Sequence, residues 1–506
     1  MIKIKLRTEY VIIITAIVAK LILQLIATAN SGYHCDEVLH IEAGKHLAFG
    51  YLDFPPLIGL ISWLQNLFYS DSLYVNHLFI YLNSSLIILI CGLITIRLGG
   101  GVLALLLTES ALIFSPGFGA TQYLYLPTAF EQMFWVIIIY YLIQYCTSQN
   151  LKYLLFIGLF AAIGFMNKYS IVFLLAGQII SVLLFKRELL TRRITWLSVF
   201  LFILLILPNI FWQFFNNFPV LKHMSELYET QLNQQSFLNE LKTLILFLNP
   251  LTIFLWLTAL IVVPFHPGFK KYRLPVFTLL FSTILLFLSK GKSYYFFPII
   301  LSLIAVGSVF VESILKKRKW IGYGYLIFLI LFGSYLLPHG IPVLKLEKYI
   351  NSYNLTPNKD GKIPLTFENY YSKVNWDRIL KSLAQNYESL SNEEKRNCYV
   401  WGRHYSMAGN TNLLGTKYKL PFAFSLHSSY YSWVPDFDKN IVVIAIGESN
   451  LKKDYWEKYF EVVREADVIE NKYASEESWY CYRIFICRQI KYDSNELKEE
   501  FKNEVF

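Results

Sequence analysis

Charge is what this sequence has least of. Only 16% of its 506 residues are Asp, Glu, Lys or Arg, against 55% hydrophobic, a balance that excludes both an ordinary multi-domain soluble chain and a disordered one. Cysteine is sparse too, at six, with no CxxC pair and no Cys/His metal spacing, which removes zinc-ribbon and thioredoxin-type sites. Cys481 and Cys487 share one face of a strand-like run but would stand about 20 Å apart at about 3.3 Å per residue, so they cannot bridge each other. Cys398 can pair with either of them, or all three can remain thiols. No internal repeat is visible, so the matching halves of many transporters are missing.

What the chain does have is apolar length. A span needs about 20 apolar residues, and about eleven runs qualify, near 9–28, 77–97, 100–116, 126–146, 153–167, 170–185, 194–212, 242–264, 275–289, 294–314 and 320–337. The two runs flanking Lys168 are short and read equally as one long kinked element. From residue 339 onward no such run recurs. The expected architecture is therefore a polytopic α-helical membrane region, 1–338, followed by a soluble domain, 339–506. Strand-like stretches at 398–402, 441–446 and 479–488 and helix-like ones at 376–390 and 451–460 make that domain a small α/β unit.

Lys and Arg fall in every second break. Lys3, Lys5 and Arg7 precede the first run, and Arg97, Lys152, Lys186, Arg187, Arg192, Arg193, Lys270, Lys271, Arg273, Lys316, Lys317, Arg318 and Lys319 follow the alternation. Basic residues are retained on the cytoplasmic side, so the N-terminus is expected inside and, after an odd number of spans, the C-terminal domain outside. The net charge of +10 is then a topology signal rather than a nucleic-acid footprint. Ala27-Thr28-Ala29 resembles a signal-peptide cleavage site, but the apolar run before it is longer than a signal core, and retention as a span is the expectation.

The longest outer connection of the membrane region is 30–76. It opens Gly32-Tyr33-His34-Cys35-Asp36-Glu37, with Asp36 placed to cap a helix over 37–49, and Pro55-Pro56 starts a second apolar helix over 57–68, too short to cross. By acidity alone, Asp36 and Glu37 read equally as helix caps or as catalytic carboxylates. The ordered pieces Tyr33-His34, Asp36-Glu37, His46-Leu47-Ala48-Phe49-Gly50-Tyr51 and Asp53-Phe54-Pro55-Pro56 resemble the first periplasmic loop of bacterial glycosyltransferase family 39. That family, of the GT-C fold, contains protein O-mannosyltransferase-like enzymes and resembles the aminoarabinose transferase that modifies lipid A. Further segments agree: 126–135, where Glu131 stands in place of the more usual Asp; Asn167-Lys168-Tyr169; 218–224 with His223; Lys292-Ser293-Tyr294-Tyr295; and, in the soluble part, 401–409 and 427–433.

The resemblance implies a sugar transfer from a polyprenyl-phosphate-linked donor to a periplasmic acceptor (protein, lipid A or glycan) at the inner membrane, with no nucleic acid involved. Such chemistry needs a base for the acceptor and cations for the departing phosphate. Asp36 is the expected base, with Glu37 orienting it; repulsion between these neighbours would raise one of their pKa values. Lys168, His223 and Lys292 are the expected phosphate ligands, although each Lys could equally be a snorkelling anchor. Tyr33, His34, His46, Tyr51, Asp53, Glu131, Tyr294 and Tyr295 are expected to line the pocket. A divalent ion is an open matter: Asp36, Glu37 and Glu131 offer suitable oxygens. Tyr430, Tyr431 and Trp433 could stack on sugars but are expected in the core. A transporter is the rival reading, with Glu109 as an intramembrane carboxylate that should be paired or functional; a lipid-linked oligosaccharide polymerase or ligase is the milder alternative. A reporter fused after Phe506 should be active only outside the cytoplasm and one fused after Lys319 only inside; the reverse at either junction would overturn the topology.

Overall fold

A computed structural model describes residues 7–68 and 70–506; Lys3 and Lys5, used in the charge pattern, lie outside the described residues. The chain divides into two compact units. The first holds the residues up to Ile26, Phe54–Ile58 and His77–Val343, and the second holds Ala27–Asp53, Gly59–Asn76 and Leu344–Phe506. Most of the first outer connection thus groups with the C-terminal part of the chain rather than with the membrane helices that flank it in sequence.

The first unit is helical. Among the described residues seven helices are long and apolar enough to cross a membrane: Thr8–Asn30, Leu78–Arg97, Pro127–Ser148, Arg193–Phe215, Pro267–Leu288, Ser293–Ile314 and Lys319–His339. Three shorter apolar helices, Val102–Ile113, Lys152–Asn167 and Ile171–Phe185, account for three more of the expected runs. The run over 242–264 is not one straight span. It is a pair, Phe237–Phe247 and Pro250–Phe265, bent by 101° at the break. Pro250 has no N–H to continue the ladder, and Asn249 turns the chain with φ 62° while its side chain accepts from the Leu251 N–H. Helices are the form that satisfies the backbone within hydrocarbon. The large apolar side chains of Arg193–Phe215 that point outward, such as Trp196, Phe200 and Phe214, suit a lipid-facing position. Where helices meet closely a small residue is needed: a Cβ on Gly307 would lie 2.0 Å from the Leu255 carbonyl oxygen.

Two buried polar features interrupt this apolar unit. Lys168 stands between two separate helices, in extended conformation (φ −159°, ψ 129°), so the run around it is not a single kinked element. Its ammonium donates to Glu131 Oε2 at 2.8 Å and to Thr128 Oγ1 at 3.1 Å, and the Ser170 hydroxyl donates to the other Glu131 oxygen. The Glu131 side chain is only 2% exposed and that of Lys168 21%, so each charge depends on the other. Glu109, by contrast, is buried with no hydrogen-bond partner on either oxygen among the described residues, and nothing there explains it.

The C-terminal part of the second unit carries a five-stranded sheet. Its strands are β1 (Cys398–Gly402), β2 (Ala423–Phe424), β3 (Val442–Glu448), β4 (Phe460–Glu470) and β5 (Cys481–Ile490), in the order β2-β1-β3-β5-β4. β2, β1 and β3 run parallel, while β5 pairs antiparallel with both β3 and β4. The helix Tyr405–Leu414 crosses between β1 and β2, and Ser372–Glu388 covers the expected helix near 376–390. The helix expected over 451–460 is a single turn, Lys453–Glu457, after which the chain enters β4. β4 alternates buried and exposed residues only weakly, which hid it from pattern reading. Trp401, Phe424, Trp456, Phe460, Phe485 and Phe501 form the domain core. All six cysteines are free thiols, so Cys398 makes no bridge.

Removing one partner of a buried pair strands the other. Glu131→Gln or Lys168→Met alone should therefore lower stability by about 3–5 kcal/mol, and the double variant should recover much of that loss. Thermal unfolding of the detergent-solubilised protein measures this; additive single effects would show that the two charges are not coupled.

Candidate active site around Asp36

The second unit builds its polar centre on a nine-residue helix, Cys35–Ala43. Its N-cap is His34, not Asp36, and the helix stops at Ala43 rather than running to residue 49. The Nδ1 of His34 accepts the Asp36 N–H at 3.3 Å, while Glu37 Oε2 accepts the His34 N–H at 2.7 Å. The two bonds make a reciprocal capping box. Glu37, fully buried, is engaged in holding the helix start. Asp36, one residue earlier, is free of that duty and sits where the helix dipole favours negative charge.

Three groups approach the Asp36 carboxylate. Tyr405, the first residue of the crossover helix after β1, donates its hydroxyl to Oδ1 at 2.5 Å. The Cys35 thiol donates to the same oxygen at 3.4 Å, and His34 Nδ1 lies 3.8 Å from Oδ2. Burial by itself would raise the pKa of Asp36, but the charge of His34, the Tyr405 hydroxyl, His40 and Cys35 outweigh it and hold the carboxyl below its usual value. Mutual repulsion with Glu37 therefore does not raise Asp36. His34 moves the other way: burial works against its protonation, yet the carboxylates of Glu368, Asp36 and Glu37 raise it. The carboxyl that burial does raise is Glu368, assisted by Asp36 and opposed by His34.

The other residues expected in this loop fall around the same centre with distinct duties. Tyr33 is buried, donates to the Asp71 carbonyl at 2.9 Å and accepts from Asn76 at 2.7 Å; it ties the loop to itself. Tyr51 is also buried and donates to the Ala43 carbonyl at 3.0 Å, closing the end of the helix. His46 stacks on Trp433 with ring centroids 4.6 Å apart and planes within 9°, so Trp433 has a partner in the loop rather than in the sheet core, whereas Tyr430 is buried. Asp53 accepts hydroxyl hydrogen bonds from Ser428 and Ser429. Sequence reading missed Tyr405, Glu368 and His427 as individual residues. Only the likeness of 401–409 and 427–433 to the family pointed to the right segments.

In the membrane unit, Lys168 is joined by Tyr294 and Tyr295, whose ring centroids lie 5.4 and 5.0 Å from its ammonium, within the range of a cation–π contact. Its charge is nonetheless met by Glu131. Lys292, two residues before Tyr294, donates to the Gln231 side chain. His223 lies half-buried on a separate helix, Pro219–Leu227. With Glu37 in the cap and Glu131 in the ion pair, these two are poor candidates to hold a metal. Among the described residues the one set of His, Cys and carboxylate donors near enough to share an ion is His34, Cys35 and Glu368, with ligand atoms within 4.8 Å of one another.

Comparison with known proteins agrees with this architecture. A family model described as dolichyl-phosphate-mannose-protein mannosyltransferase matches residues 53–212. No curated protein sequence matches significantly. Among solved structures, ArnT from Cupriavidus metallidurans bound to undecaprenyl phosphate aligns with a TM-score of 0.61 at 12% identity, over 93% of this chain and 97% of that one. The same protein in its apo state aligns with a TM-score of 0.58 over the same shares. The archaeal oligosaccharyltransferase AglB from Archaeoglobus fulgidus, in complex with an inhibitory peptide and a dolichol-phosphate, aligns at 0.50 and 12% identity over 82% of this chain and 64% of that one. Apolar helices, a C-terminal sheet domain and these likenesses together establish that the chain has the GT-C fold of polytopic membrane glycosyltransferases.

Proposed function

We propose that this protein is an integral-membrane glycosyltransferase that moves a sugar from a polyprenyl-phosphate carrier to an acceptor hydroxyl on the outer face of the membrane, with Asp36 as the general base. The observation that carries this reading is the Asp36 carboxylate itself: it stands at a helix N-terminus, holds its charge, and is oriented by the Tyr405 hydroxyl. The fold supports the same class, as do the relatives whose structures contain undecaprenyl phosphate and dolichol-phosphate.

In the reaction, the acceptor oxygen gives its proton to Asp36 and bonds to the anomeric carbon. The bond from that carbon to the phosphate oxygen breaks, and its electron pair leaves with the polyprenyl phosphate. A phosphate is already a good leaving group, so the protein's part on that side is to hold charge rather than to supply a strong acid. Lys292 and His223 take that role in this reading. Lys168, neutralised by Glu131, acts instead by keeping the Tyr294-Tyr295 turn in place. A carboxylate kept below its usual pKa is available throughout the neutral range but is a weak base, so proton transfer is expected late, as the new glycosidic bond forms.

Asp36→Asn should leave a folded protein with turnover lowered about a hundredfold or more, the scale of losing a general base; near-normal transfer to purified acceptor would reject the assignment. Tyr405→Phe tests the hydrogen bond. The Tyr405 hydroxyl stabilises the charged form of Asp36, so its removal raises the Asp36 pKa. Activity requires the unprotonated carboxylate and is lost as pH falls through that pKa. In the variant this loss should begin at higher pH than in the parent, read from the acid limb of kcat/KM. An unmoved acid limb would mean that Tyr405 does not act through Asp36.

A further inference from the structure

A cavity of about 300 Å³ opens in the α/β domain, lined by Arg403, His404, His427, Glu448, Asn450 and Trp479 among others. Its position follows from the sheet topology. β1 lies between β2 and β3, all three parallel, and the chain leaves β1 toward β2 on one side and then returns to β3 on the other. That is a switch point, and open α/β sheets bind ligands at the carboxyl ends of the strands there. Arg403 and His404 directly follow β1, His427 follows β2, and Glu448 ends β3.

We propose that this cavity is a carbohydrate subsite for the acceptor, a glycan, and that it takes a neutral pyranose ring other than the one whose hydroxyl gives its proton to Asp36. The inference rests on the glycosyltransferase reading above. Its link to the reacting centre is one residue thick: the Tyr405 ring stacks on His427, with centroids 5.1 Å apart and planes within 17°, and leans on His404 at 4.0 Å. The hydroxyl of that ring donates to Asp36.

The lining fits a polyol and does not fit an anion. Among the described residues of the lining the permanent cation is Arg403, and its charge is shared with Glu504 at 3.4 Å and set against the rings of Tyr455 and Phe501. Glu448 adds a carboxylate to the wall. Burial, with neighbouring charge, pushes His404 down to about 3 and His427 down to about 4, so at neutral pH both imidazoles are uncharged and offer one donor and one acceptor each. Sugar hydroxyls both donate and accept, and the wall supplies both, together with the indole of Trp479, which meets His404 edge-on at 5.4 Å. The volume lies at the lower end of small-molecule pockets, suited to one or two rings rather than to a folded peptide.

The test uses the full-length protein in a detergent without a sugar headgroup, with methyl pyranosides of glucose, galactose, mannose, N-acetylglucosamine and rhamnose as probes. Saturation-transfer NMR should show saturable binding of at least one pyranoside. Glu448→Gln, nearly isosteric, and Trp479→Leu should each raise its Kd at least tenfold with an unchanged unfolding midpoint. Should Trp479→Leu fail to fold, Glu448→Gln decides alone. Asp36→Asn should keep the Kd within about twofold while losing transfer. Binding of none of the five, a Kd indifferent to the cavity variants, or displacement of the sugar by inorganic phosphate overturns the subsite. Loss of binding alone leaves the glycosyltransferase reading intact, whereas normal transfer by Asp36→Asn defeats that reading and not the subsite.

Discussion

The hydrogen bond from Tyr405 to Asp36 joins residues 369 positions apart, and the candidate site depends on that closure. A short loop helix at the end of a membrane span has too few contacts of its own to hold a carboxylate in one place. Here the helix start is fixed locally by the His34–Glu37 capping box, and the carboxylate beyond it is fixed by a ring from the sheet domain. Two further long-range ties, Ser428 and Ser429 to Asp53 and His46 to Trp433, secure the descending half of the loop. A base must be held in geometry before its pKa matters, and in this chain the C-terminal domain supplies the restraint.

The electrostatics follow the same division of labour. Glu37 meets the helix cap, which leaves the Asp36 carboxylate to Tyr405, Cys35 and His34. His34, raised by three carboxylates, helps keep Asp36 charged, while Glu368 carries the opposite shift. Carboxyls of one site are thus pushed apart in pKa by burial and by distinct neighbours. In the membrane unit both oxygens of Glu131 are taken, one by Lys168 and the other by Ser170.

Amino-acid order alone determined the broad class. Among the described residues ten of the eleven apolar runs became single helices and the eleventh a bent pair, because lipid-spanning backbone must satisfy its own hydrogen bonds, and composition alone marked where those runs end. The ordered motif around Asp36 and Glu37 was legible for the same reason that it is local: capping and turn chemistry act over three or four residues. Even so, the cap fell on His34, since an imidazole can accept a backbone N–H as an Asp does and the sequence does not rank the two.

Tertiary structure decided what contact across the chain must decide. No periodicity ties residue 36 to residue 405, so Tyr405, Glu368 and the cavity at the β1 end could not be read from spacing. The bend at Asn249-Pro250 depended on a positive φ that hydropathy does not register, and β4 was hidden because its faces are unevenly buried. Lys168 looked like a free cation in sequence. Only packing showed that Glu131, 37 residues earlier in the chain, lies one hydrogen bond away, because an ion pair is a matter of distance in space and sequence records distance only along the chain.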